Sequence, residues 1–104
     1  MSVYDGLIGQ PVVVGYGNYG LRFGVLDAVD GTTVRLRDSR HIFNFAAQPA
    51  AAGAQGVEAL QTHGPAAGSR IGPVVALTVV SDVKRVGVCT DAAVAVFAAA
   101  GWPR

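Results

Sequence analysis

The chain has 104 residues, a formal charge of +1, 51% hydrophobic residues and only 14% charged ones. That length makes one domain with a single core, and the near-neutral balance excludes the strong positive field of a protein that lives on nucleic-acid backbones, whose affinity grows with the number of cations engaged. A lone cysteine excludes an internal disulfide, and the longest apolar run, residues 92–102, is short of the roughly 20 residues that cross a bilayer.

Met1 to Gln10 reads as a short leader that packs Leu7 and Ile8 against the core. Pro11 to Tyr16 reads as a strand opened by proline, where the missing N–H costs least. Gly15, Gly17 and Gly20 then bracket Tyr16, Asn18 and Tyr19. A nucleotide-type glycine loop requires a strand-to-helix context that is missing here, so the segment is expected to be a hairpin turn.

The stretch from Leu21 to Phe45 carries the clearest fold signal. Two β-prone runs, Leu21 to Val29 and Thr32 to Arg37, flank Asp30-Gly31, a dipeptide suited to the positive φ angles of a type I′ turn. In the second run Thr33, Arg35 and Arg37 share one face and Val34 and Leu36 the other, the period of a half-wet strand. The first run alternates less cleanly, and Gly24 implies cover on both faces or a bulge. After Asp38-Ser39, the run Arg40 to Phe45 predicts a third antiparallel strand, with Phe43 and Phe45 opposite Ile42 and Asn44.

Ala46 to Ala54, made of Ala, Gly, Pro and Gln, is expected to be a loose connection. Gly56 to His63 predicts a two-turn helix with Val57 and Leu60 on one side and Gly64-Pro65 as its stop. A Gly-rich turn and the loop Ser69 to Pro73 lead to two strands, Val74 to Val80 and Val83 to Cys89, separated by a bend at Ser81-Asp82. Thr90 is placed to cap a helix that begins with Asp91, runs to about Ala100 and stops at Gly101. That helix has almost no polar face, so it is expected to be buried on several sides, against the sheet and against another subunit. The whole reads as a single α+β domain, 1–104: an antiparallel β-sheet of about five or six strands with a short helix and a C-terminal helix packed on it.

Chemistry is sparse. Cys89 precedes a helix N-terminus, a place that can activate a thiol, but a small buried hydrophobe ending a strand is the role expected of it. His41 and His63 match no metal spacing, no Ser/His/Asp constellation stands out, and the carboxylates Asp5, Asp27, Asp30, Asp38, Glu58, Asp82 and Asp91 fit turns, helix starts or solvated positions. No enzyme activity, cofactor or metal is expected. The basic residues say more: Arg22, Arg35, Arg37 and Arg40 fall close together in sequence. Arg35, Arg37, Arg40 and His41, joined by Ser69 and Arg70, form a candidate binding set for a phosphate or carboxylate, because a guanidinium offers a planar pair of charge-assisted donors. Arg40 is expected to lie off the core, so that its removal would abolish binding and leave the fold intact. The competing explanation is a solvated strand face whose charges protect an edge. Tyr16, Tyr19 and Trp102 are candidates for stacking a base, or for ordinary packing.

The order PVVV, FGVL before an Asp-Gly turn, LRDSRHIFNFA, a short helix ending in THG, SRIG, VCTDAA and a closing GW resembles an uncharacterised family of small tailed-phage proteins. Those proteins show an ARRLWYW-like segment where this chain has Ser39 to Phe45, an HG pair at His63-Gly64 and a CT pair at Cys89-Thr90. The chain departs from them in its Ala-rich segment 46–54 and in having Phe43 and Phe45 in place of a Trp/Tyr pair. No activity comes with the resemblance. By analogy with small phage proteins that sequester nucleotide signals, the expected function is a non-enzymatic phage accessory protein. It would form a homo-oligomer in the host cytoplasm and bind a nucleotide-like anionic small molecule of host immunity in an inter-subunit pocket. The alternative is a structural or host-protein interaction module without a small ligand. Nucleic acid and membrane are not expected partners.

Overall fold

The computed structural model describes residues 5–17, 20–44, 56–65 and 70–100. A single 3₁₀ turn at Asp5–Leu7 leads into strands β1 (Pro11–Tyr16), β2 (Gly20–Asp30) and β3 (Thr33–Asn44), helix α1 (Gly56–His63), strands β4 (Arg70–Ile71), β5 (Val75–Val80) and β6 (Val83–Val88), and helix α2 (Asp91–Ala99). Every strand pairing is antiparallel, in the order β4-β3-β2-β1-β6, with β5 also lying along β3. The expected antiparallel sheet with a short helix and a C-terminal helix is therefore the fold.

The long strands β2 and β3 bend because they carry bulges. Their register shifts between Phe23 and Val25 and between Leu26 and Ala28, so the irregularity expected at Gly24 is present. On β3 the added residue is Asp38, which takes the left-handed conformation at φ 50. Asp tolerates that region better than most residues, and the strand passes through it without turning back. The separate strand expected from Arg40 to Phe45 is thus the second half of one continuous strand.

The bulge also changes the parity of β3. Before it, Val34 and Leu36 are buried while Arg35 and Arg37 are exposed; after it, Ser39, Arg40 and Ile42 are all buried and His41 is half-buried. The sheet consequently has two cores. Curling brings Val12, Val14, Leu26, Val34, Leu36, Val80 and Val83 together on one side, edged by Leu7, Tyr16, Val29 and Val86. On the other side Val13, Phe23, Ile42, Ile71 and Cys89 meet Leu60 of α1 and Ala93 and Phe97 of α2. Phe23 and Phe97 stack with ring centroids 4.2 Å apart and planes within 8°.

Alpha2 is less enclosed than its composition implies. Ala93 and Phe97, four residues apart, form the buried stripe, whereas Ala92, Ala95, Ala98 and Ala99 are exposed. Alanine is a strong helix former that loses little on either side of an interface, so an apolar composition did not require burial all round. The leader is likewise half right: Leu7 packs on the core and Ile8 is exposed.

Two of the predicted helix signals, Thr90 and Gly64, are present, and the stop expected at Gly101 lies outside the described residues. Thr90 Oγ1 accepts from the Ala93 N–H at 3.1 Å and donates to the Thr62 carbonyl at 2.7 Å, tying the start of α2 to the end of α1. Gly64 ends α1 at φ 76, with its N–H on the Leu60 carbonyl. A β-carbon there would stand 2.7 Å from Val96 Cβ on α2, so glycine is needed for both the backbone angle and the close helix contact. Gly64→Ala is expected to destabilise the domain by about 1–3 kcal/mol, read as a lower urea midpoint with an unchanged slope.

Candidate functional site

The bulge at Asp38 decides where each candidate residue goes. Arg35 and Arg37 stay on the exposed face, and Asp27 of β2 sits between them. Asp27 Oδ2 accepts from Arg35 Nε at 2.5 Å, and its Oδ1 lies 3.0 Å from Arg37 Nε. Two cations around one carboxylate leave a local charge of +1. Pairs this open to water contribute little to stability, so their arrangement bears on recognition more than on folding.

Arg40 belongs elsewhere, and this corrects the expectation that it lies off the core. It is 9% exposed, beneath α2. Nε donates to the Gly72 carbonyl at 2.7 Å, Nη1 to the Phe97 carbonyl at 2.5 Å, and Nη2 to the carbonyls of Ala100 at 2.8 Å and Ile71 at 3.5 Å. Burial lowers its pKa from the ordinary value. The guanidinium nevertheless stays charged, and it spends that charge on backbone oxygens at the negative end of α2. Arg70 is exposed on β4 at the sheet edge, where it pairs with Asn44 in register. Ser69, Tyr19 and Trp102 lie outside the described residues. The five described candidates therefore do not converge: Arg35 and Arg37 share a face, Arg40 serves the helix, Arg70 lies at the sheet edge, and His41 faces the other side of the sheet.

There His41 has neighbours that the sequence reading did not join to it. Arg22 is its register partner on β2 and also faces Val14. Arg22 Nε donates to Ser39 Oγ at 2.8 Å and Nη2 to Thr78 Oγ1 at 3.4 Å, while Ser39 Oγ donates to Thr78 Oγ1 at 3.2 Å. The Tyr16 hydroxyl lies 3.3 Å from His41 Nδ1. Its ring reaches there by lying over Gly20, where a side chain would collide with it. The His41 pKa is lowered, first by burial and then by the charge of Arg22. One signal for this cluster was present in the sequence: Arg22 is the only charged residue in the apolar run Leu21 to Leu26.

Cys89 is buried and its thiol is pushed up to about 12 by desolvation. This is the packing role and not an activated thiol. Among the described residues no three His, Cys, Asp or Glu side chains gather as a metal site, and no helix is long and apolar enough to cross a membrane.

These features define a small curled β-sheet domain closed on one face by two helices. The chain belongs to the family of the domain of unknown function DUF6948, which matches residues 9–97. No curated protein matches it. Among solved structures it is similar to a heptameric archaeal Sm protein, with 16% identity over 83% of this chain and 94% of that one, at a TM-score of 0.49.

Two outcomes follow from these positions. Arg40→Ala strands several buried carbonyls and is expected to cost about 3 kcal/mol or more, lowering Tm by roughly 12 °C or more in a calorimetric scan. At pH 8 the native Cys89 thiol should react with an aromatic disulfide reagent only as fast as the protein opens, and at once in denaturant; rapid labelling of the folded protein would contradict its burial.

Proposed function

We propose that this DUF6948 chain is a non-enzymatic phage accessory protein that self-associates and sequesters a nucleotide-like anionic small molecule of host immunity between subunits. One observation carries the reading: the exposed cations share their face with exposed apolar residues of the neighbouring strand. Arg35 is paired in register with Val79 and Arg37 with Leu77, and these apolar partners are 61% and 55% exposed. Val74 and Val75 continue the apolar ribbon. An apolar strip of this kind on a small domain suits burial against a second copy or under a flat base. The adjacent guanidinium groups supply donors for a phosphate.

A second reading, a structural or host-protein interaction module without a ligand, is favoured by one detail. Asp27 already accepts from Arg35 and is ion-paired with Arg37, so an incoming anion must compete with it.

The two are separated by native mass spectrometry of protein purified from bacteria that make nucleotide immune signals, with a thermal-shift panel of cyclic dinucleotides and ADP-ribose derivatives. The sequestration reading expects a co-purifying ligand, an oligomer at micromolar concentration that Leu77→Lys dissociates, and a roughly ten- to hundredfold affinity loss for Arg37→Ala. A protein that sediments as an oligomer yet carries and responds to no such compound fits the structural module instead.

A further inference from the structure

We propose that Arg22, Tyr16 and His41 form a phosphate-binding site on the opposite side of the sheet from Arg35 and Arg37, independent of the ligand face described above. Arg22 opposes Val14 on β1 and His41 on β3, so its side chain ends the inner core instead of decorating the outer surface. Its two partners among the described residues are neutral hydroxyls, Ser39 and Thr78, of which Ser39 is fully buried. Among the described residues no carboxylate lies within ion-pair distance of it, in contrast to Arg35 and Arg37, which share Asp27. A guanidinium withdrawn from water needs a counter-charge or a full set of acceptors, as Arg40 has in four backbone carbonyls, whereas among the described residues Arg22 has only two hydroxyls.

The unmatched charge is felt nearby, since it helps hold the His41 imidazole in its neutral form. The geometry is also fixed in advance. Ser39 and Thr78 bond to Nε and Nη2 and to each other, which orients the guanidinium, and Nη1 has no partner among the described residues. Tyr16 crosses Gly20 to bring a hydroxyl to His41, placing a second donor group beside the cation. A tetrahedral oxyanion suits this set: it would accept from Arg22 and Tyr16, and its charge would favour the protonated imidazole that burial and Arg22 disfavour. The ligand class is a phosphate group, free or as a monoester.

The test is calorimetric titration of the full chain with inorganic phosphate and, separately, with adenosine monophosphate; comparing the two tells a free anion from an esterified one. Either probe should bind the unaltered protein. Arg22→Gln should lose roughly tenfold or more in affinity, and Tyr16→Phe, which keeps the ring over Gly20, should lose severalfold at an unchanged melting temperature. The Arg35→Ala/Arg37→Ala double variant should bind phosphate as the unaltered protein does, which separates this site from the outer face. Absence of binding by both probes overturns the proposal. So does unchanged affinity in Tyr16→Phe and Arg22→Gln, or a loss confined to the Arg35/Arg37 variant. Should Arg22→Gln fail to fold, the Tyr16→Phe titration decides.

Discussion

The arrangement of this domain depends on one buried cation. Helix α2 ends without a polar side chain of its own near its last carbonyls, and those of Phe97 and Ala100 are taken up by the Arg40 guanidinium. The same group reaches the Gly72 and Ile71 carbonyls beside β4, so one side chain joins the helix end to the short edge strand. The Phe97 carbonyl also accepts from the Ala100 N–H, so the guanidinium adds a charge-assisted bond to it and supplies a donor to the Ala100 carbonyl. With the helix held there, Phe97 can stack on Phe23 and Ala93 can close over the sheet. The outer core is therefore a consequence of where Arg40 points.

Much of the fold was legible because its signals are local. Asp30-Gly31 marked the hairpin, although the turn falls one residue later at Gly31-Thr32 with only Gly31 at positive φ; Thr90 marked a helix start that does accept from Ala93, and Gly64 marked the end of α1. What escaped depends on contacts remote in sequence. Arg40 resembles its neighbours Arg35 and Arg37 in the linear text; the extra residue at Asp38 returns it to their side of the sheet, and α2 covers it there. Nothing in the period-2 pattern announces such a residue, although an Asp-Ser pair is chemically suited to it. Strand β4, at two residues, is too short to show any period. The Arg22 cluster was hidden for the same reason as Arg40: Ser39 and Thr78 lie 17 and 56 positions away from it.

The segments on which the family resemblance was read have physical tasks. Ser39 to Phe45 contains the residue that anchors α2; His63-Gly64 includes the glycine that lets α1 stop against Val96; and Cys89-Thr90 supplies a buried thiol and the hydroxyl shared by the two helices. Three widely spaced motifs meet on the helical side of one sheet. A likeness confined to them therefore speaks of how the domain is closed and not of what it binds, which leaves the inner and outer polar clusters as the places where relatives with the same closure can differ.

The single left-handed residue in β3 makes the facing of that strand's second half depend on one irregularity. Because side chains alternate along a strand, drawing Asp38 into the regular ladder would exchange the two faces for everything that follows: Arg40 would face the interior hydrocarbon and His41 the underside of α2. The helix anchor and the inner polar cluster therefore hang on the same backbone angle, and flattening it would displace both together.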